Sequence, residues 1–139
     1  MEPLTAIFVY GTLKKGQVRE TCWPRSPLDI VQAVAPGTLY DLGPHPAMIE
    51  GNDRVAGELW HFRVQDVVET LTVLDEVEGF SDGPDDWYRR VVIECETAAE
   101  RTSAWTYLYA RPAELRASQR LQPDVTGVCH WSRCLTPDP

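Results

Sequence analysis

Five segments rich in β-branched and aromatic residues, Ala6–Tyr10, Ala33–Tyr40, Val55–Phe62, Tyr88–Glu96 and Thr102–Ala110, are each bounded by Gly, Pro, Asp or Ser, and one confident helical pattern interrupts them. In 139 residues that pattern leaves room for one domain with a proper core and not for two ordinary ones. A strand-dominated chain with one internal helix must close or strongly curve its sheet to bury both faces, so the expected class is α+β, a barrel or a curved sheet. Val91, Ile93 and Cys95 alternate with Val92, Glu94 and Glu96, giving one strand a more polar face, and Trp105, Tyr107 and Tyr109 share one face of the last strand.

The helical segment reads RVQDVVETLTVLDEVEGF. Asp66 and Glu69 have the spacing of a capping box, Val67, Leu71 and Leu74 recur at helical intervals, and Gly79 is a suitable stop. At about 100° per residue, Glu78 falls within about 60° of that apolar stripe, while Glu76 faces the other way. A carboxylate on a core-facing stripe, in the last turn at the negative end of the helix dipole, is costly to ionise, so its pKa is expected to rise. Such a group can exchange protons near neutral pH, as a general acid/base must. The competing reading is a helix that frays before Glu78, or a Glu78 paired with Arg89 or Arg90.

The strand at 6–10 ends in Tyr10 and breaks at once into Gly11-Thr12-Leu13. A glycine after a buried strand permits a sharp turn in which successive N–H groups converge on an anion, although a plain strand-to-loop turn has the same letters. Lys14, Lys15 and Arg19 form a small basic cluster that can meet an acidic group or simply sit in a solvated loop. Gly43-Pro44-His45-Pro46 is a proline-constrained turn that holds Ala47-Met48-Ile49 in place, with His45 either in a pocket wall or on a surface loop. Ser81–Asp86 reads as a mobile acidic loop able to cover a site near Glu78.

Thirteen Lys and Arg against 21 Asp and Glu give a net charge of -8, which argues against nonspecific attraction to nucleic acid or to an anionic membrane. No apolar run reaches the length of a membrane span and the N-terminus lacks a leader pattern, so a cytoplasmic location is expected. Cys22, Cys95, Cys129 and Cys134 are too few and too irregular for a disulfide framework, and most are expected to be packing residues. Cys129, His130 and Cys134 cluster, yet they lack the ligand number and spacing of a zinc site, so no metal is expected. From residue 112 to 139 the chain reads as an irregular tail, with a short helix possible at Glu114–Leu121.

FVYGTLKKGQ at 8–17, GTLYDLG at 37–43 with its following Pro46, GELW at 57–60, LDEVEGF at 74–80, YRR at 88–90 and AWTYLY at 104–109 together resemble the gamma-glutamylcyclotransferase-like family, most closely its gamma-glutamylamine cyclotransferase branch. The resemblance covers about residues 6 to 111; Ser81–Asp86 and the cysteine-containing tail depart from it. It implies a small mixed β-barrel with flanking helices and conversion of a gamma-glutamyl amine or peptide into 5-oxoproline and a free amine. It further implies that the Tyr10, Gly11, Thr12 and Leu13 loop binds the glutamyl head and that Glu78 transfers the proton. Tyr10, at the strand end, can wall the pocket or donate a hydrogen bond, and Tyr107 and Tyr88 are weaker candidates for the same role. No cofactor is implied, the partner is a small-molecule gamma-glutamyl substrate, and a monomer or a homodimer fits. An intramolecular ring closure needs no protein nucleophile, consistent with a chain that lacks a convincing Ser-His-Asp or Cys-His set. The readings from other classes are a non-enzymatic gamma-glutamyl-binding module, an amidohydrolase that releases glutamate, and a cysteine enzyme built on Cys22 or Cys129 with His45 or His130.

Overall fold

In a computed structural model, residues 4–131 are described. The strands are β1 (Ala6–Val9), β2 (Asp29–Asp41), β3 (Pro46–His61), β4 (Tyr88–Glu96), β5 (Arg101–Tyr109) and β6 (Val128–Cys129), with helix α1 (Val64–Glu78) between β3 and β4. β1 runs parallel to β5 and antiparallel to β3, and the antiparallel pairs β5–β4, β4–β2 and β2–β3 complete the circuit. The five strands therefore close into a mixed barrel, the architecture expected, with β6 added beside β3. Closure leaves β1 without a free edge although it is only four residues long.

Side-chain alternation divides the core in two. Phe8, Tyr10, Ala33, Ala35, Leu59, Cys95, Ala104 and Leu108 cluster on one side of the strands. Ile7, Val9, Trp60, Phe62, Tyr107 and Tyr109 point the other way and receive Val67, Leu71 and Leu74 of α1. The period of two along β1 thus meets the period of about 3.6 along α1, and the helix seals the barrel wall beside the end of β1. The aromatic face Trp105, Tyr107 and Tyr109 belongs to this second cluster.

Three local expectations are corrected. The helix starts two residues before Asp66, with Arg63 at the N-cap in extended backbone and no side-chain cap; Asp66 sits in the first turn and Glu69 pairs with Arg25 at 2.7 Å instead of closing a capping box. Phe62, anchored in the core, turns the chain directly from strand into helix. At 114–121 there is no α-helix: 3₁₀ turns at Pro112–Glu114 and Ala117–Gln119 are separated by extended Leu115 and Arg116. Ser81–Asp86 is tied down, because the Asp86 carboxylate accepts from Ser81 N–H, Ser81 Oγ and Gly83 N–H, and Arg111 donates to the carbonyls of Asp85 and Asp86. Among the described residues no helix is long and apolar enough to cross a membrane.

Candidate active site

A cavity of about 450 Å³ opens where the end of β1, the end of α1 and the aromatic ends of β4 and β5 converge. Tyr10, Gly11, Thr12, Leu13, Glu78 and Tyr107, all picked out by the sequence, line it together. His45, Arg19 and Tyr88 line it too, which places His45 in the pocket wall and removes Arg19 from the solvated loop. Trp87 and Tyr109 are wall residues that the sequence did not mark; the signal available was aromatic density at the start of β4 and the end of β5. None of Ser81–Asp86 lines the cavity, so that loop is no cover; Trp87, which follows it, is part of the wall.

The loop after β1 is built to present its amides. The carbonyl of Gly11 accepts from Lys14 N–H at 3.1 Å, that of Thr12 from Arg19 N–H at 2.8 Å, and that of Leu13 from the Trp23 indole at 2.9 Å. Trp23 is itself stacked on Trp60 with ring centroids 4.1 Å apart. By contrast, none of the Gly11, Thr12 and Leu13 amides donates to a protein acceptor among the described residues, though all three residues are buried. Unsatisfied buried donors carry a free-energy cost, and three in succession on a cavity wall make a ready seat for a carboxylate or an oxyanion. Gly11 is required by proximity: a Cβ there would stand 2.5 Å from Pro46 Cγ, the proline that opens β3.

Glu78 is the last residue of α1, and Gly79 ends the helix in the left-handed region at φ 69°. Neither competing arrangement occurs. The helix does not fray before Glu78, Arg89 pairs with Glu50, and Arg90 pairs with Asp75, each at 3.3 Å. Burial pushes the Glu78 carboxyl up from 4.5 to about 7, and the nearby Arg19 cation opposes that rise only in part. The carboxyl therefore changes charge at the pH where proton transfer in both directions is possible.

The tyrosines form the fixed wall. Tyr10 donates its hydroxyl hydrogen to the Tyr107 carbonyl, so it shapes the cavity and has no hydrogen left for a ligand. Tyr107 donates to Asp75 Oδ1 at 2.6 Å, and Arg90 holds the same carboxylate oxygen. Tyr88 donates to the Pro46 carbonyl at 2.6 Å and lies 3.1 Å from His45 Nδ1. Because the Tyr88 hydrogen is committed, its oxygen accepts, and His45 Nδ1 carries the proton of that contact. Burial lowers the His45 pKa and raises those of Tyr88 and Tyr107, so all three rings are held neutral around the ionisable Glu78.

The cysteines lie elsewhere. Cys95 and Cys129 are buried packing residues, Cys22 is half-buried, and none lines the cavity. No group of three metal-ligating side chains occurs among the described residues; Cys134 lies outside them.

The family profile described as "Gamma-glutamyl cyclotransferase, AIG2-like" matches residues 7–132. A putative gamma-glutamylcyclotransferase of Vibrio cholerae is 36% identical over 112 residues, covering 80% of this chain and 87% of that protein. The gamma-L-glutamyl-butirosin B gamma-glutamyl cyclotransferase of Niallia circulans is 33% identical over 109 residues, covering 76% of this chain and 67% of that one. An AIG2-like protein of Mus musculus shares the fold, with a TM-score of 0.61, 21% identity, and coverage of 95% of this chain and 98% of the mouse chain. The names of these relatives support gamma-glutamylcyclotransferase activity. With the family profile matched over residues 7–132 and the Vibrio cholerae and Niallia circulans relatives 36% and 33% identical over most of its length, the chain belongs to the gamma-glutamyl cyclotransferase, AIG2-like family.

Proposed function

We propose that this protein cleaves a gamma-glutamyl amine or peptide by ring closure, releasing 5-oxoproline and the free amine, with Glu78 as the proton carrier. The observation that carries the reading is the pairing, on one cavity, of a buried carboxyl that desolvation pushes up to about 7 with three residues whose backbone amides have no acceptor among the described residues.

In this reading the amides of Gly11, Thr12 and Leu13 seat the glutamyl head by its α-carboxylate. Tyr10 and Tyr107 wall the head so that it folds back on itself, bringing the α-nitrogen to the γ-carbonyl. Ionised Glu78 takes a proton from the α-ammonium. The freed amine attacks the γ-carbon and a new C–N bond forms; Glu78 passes its proton to the departing nitrogen, the original amide C–N bond breaks, and the second proton, shed by the ring nitrogen, moves through the same carboxylate to the released amine. Over the cycle the α-nitrogen goes from three hydrogens to one and the leaving nitrogen from one to three, so the reaction balances without water.

The test is product identity. Wild-type protein incubated with gamma-glutamyl amines and gamma-glutamyl amino acids is expected to yield 5-oxoproline by mass spectrometry, and Glu78→Gln is expected to yield none above background. Glutamate in place of 5-oxoproline would assign the protein to hydrolysis. Absence of turnover, with retained binding, would make it a gamma-glutamyl-binding module.

A further inference from the structure

Arg19 lies near Glu78, whose rise in pKa its charge partly opposes, yet no bonded partner fixes its side chain among the described residues. Its backbone N–H is fixed to the Thr12 carbonyl at 2.8 Å, directly beside the amide loop, and the residue lines the cavity half-buried. Its guanidinium makes no hydrogen bond or ion pair among the described residues, although Arg25, Arg89, Arg90, Arg101 and Arg120 each reach a carboxylate in this acid-rich chain. The charged and titratable groups on the same cavity are Glu76, Glu78, His45 and four tyrosines; the tyrosines and His45 are held neutral, and Glu76 is exposed and makes no bond to Arg19. A half-buried guanidinium on a cavity wall with no carboxylate bonded to it is placed to take an anionic ligand.

On the cyclotransferase reading, the rest of the glutamyl half is already served: the α-carboxylate by the three amides and the α-nitrogen by Glu78. The unserved part of the substrate is the amine that departs. Trp87, 48% exposed at the rim and stacked under Arg111 at 3.5 Å, offers that half a flat wall. We propose that Arg19 is a specificity-determining residue that binds a carboxylate on the amine half, so that gamma-glutamyl amino acids and peptides are preferred over gamma-glutamyl amines without an anionic group. A planar fork suits a carboxylate through paired N–H···O bonds, which a point charge on a longer, freer stem does not reproduce.

The experiment compares two substrates that differ only in that group: gamma-glutamyl-alanine and gamma-glutamyl-alaninamide. The wild type is expected to favour the acid by about tenfold in kcat/KM, the size of one charge-assisted hydrogen-bond pair. In Arg19→Gln that ratio is expected to fall to near one, and in Arg19→Lys to lie between the two. Binding of both compounds to Glu78→Gln and to Glu78→Gln/Arg19→Gln, by calorimetry, gives the same comparison without turnover. A wild-type ratio near one, or a ratio unchanged in Arg19→Gln, overturns the assignment, as does an equal loss on both substrates, which would place the guanidinium on the glutamyl head. If no 5-oxoproline forms but calorimetry still shows the Arg19-dependent preference, the catalytic reading fails and the carboxylate site stands. If 5-oxoproline forms without the preference, the reverse holds.

Discussion

Two regions of the molecule concentrate chemistry-bearing side chains, and they are built on opposite plans. Around β6, Asp124 accepts from Thr126 N–H and Oγ1 and from Val128 N–H, and it pairs with His130; Asp53 pairs with Arg120, and the Cys129 thiol is buried against Leu121. Those hydrogen bonds hold the Asp124 carboxyl down at about 2. At the end of β1 the plan is reversed: Gly11, Thr12, Leu13, Arg19 and Glu78 line a cavity, and neither the three amides nor the two charged side chains have a hydrogen-bond partner among the described residues. Satisfied polar groups hold a fold together, whereas unsatisfied buried ones store free energy that a ligand can recover. The contrast separates structure from function more sharply than residue type does, since the β6 region carries the His and Cys that look reactive on paper.

Breaking the cavity side should have the largest effect. Glu78→Gln is expected to lower kcat by about 10³, the usual range for a lost general acid/base, with substrate affinity nearly unchanged. It should also stabilise the fold at alkaline pH. The Glu78 pKa is raised on folding, so the native state binds its proton more tightly than the unfolded chain, and relative stability is lost as pH rises from 4.5 through about 7. The Gln variant escapes that loss. Thermal melts should show it equal to wild type near pH 4 and more stable, by up to about 3 kcal/mol, at pH 8.

Next in size is Gly11→Ala. The new methyl collides with the rigid Pro46 ring, so the amide loop must shift; denaturant melts should show a loss of about 1–3 kcal/mol together with at least tenfold weaker substrate binding. Arg19→Gln removes the cation that partly offsets the burial of Glu78, so the acidic limb of the kcat/KM–pH profile should move to higher pH than in wild type. Asp75→Asn weakens the anchor shared by Tyr107 and Arg90 without touching the cavity's donors, and a loss of about threefold to tenfold in kcat/KM is expected from steady-state kinetics. Smallest on activity is Asp124→Asn on the satisfied side: turnover should match wild type. Because the Asp124 pKa is depressed on folding, its stabilising contribution, measured by melts, should be present above the ordinary carboxylate range and vanish as pH falls through about 2.

How much of this was legible in the letters differs from residue to residue. Glu78 and the existence of five barrel strands were, through the helical angle that puts Glu78 on the stripe of Leu71 and Leu74, runs of β-branched and aromatic residues, and alternation along β4. The first half of β3, from Pro46, was not, because Gly43-Pro44-His45-Pro46 reads as a turn and the polar stretch before Val55 carries no strand signal. The ends of α1 divide the same way. Gly79 announced the stop through its left-handed backbone, while the start lay with Phe62, whose burial outweighed the capping signal of Asp66 and Glu69. Arg19 was readable only as one of three clustered cations, and Trp87 and Tyr109 were not readable as site residues, since a cavity wall joins positions far apart in sequence and leaves no local pattern. The order in Ser81–Asp86 comes from the Asp86 carboxylate and from Arg111, twenty-five residues beyond Asp86, and an acidic glycine-containing stretch gives no hint of that second partner.

The central claim is that Glu78 is left unpaired in a desolvating cavity so that it titrates at working pH, and the most direct measurement is its own titration. Carbon-13 spectra of protein labelled at the glutamate carboxyls, recorded across pH and compared with Glu78→Gln, should contain one resonance with a midpoint near 7 that is missing from the variant. If every glutamate carboxyl, Glu78 included, titrates below about 5, burial does not tune this group and the account of the site is wrong.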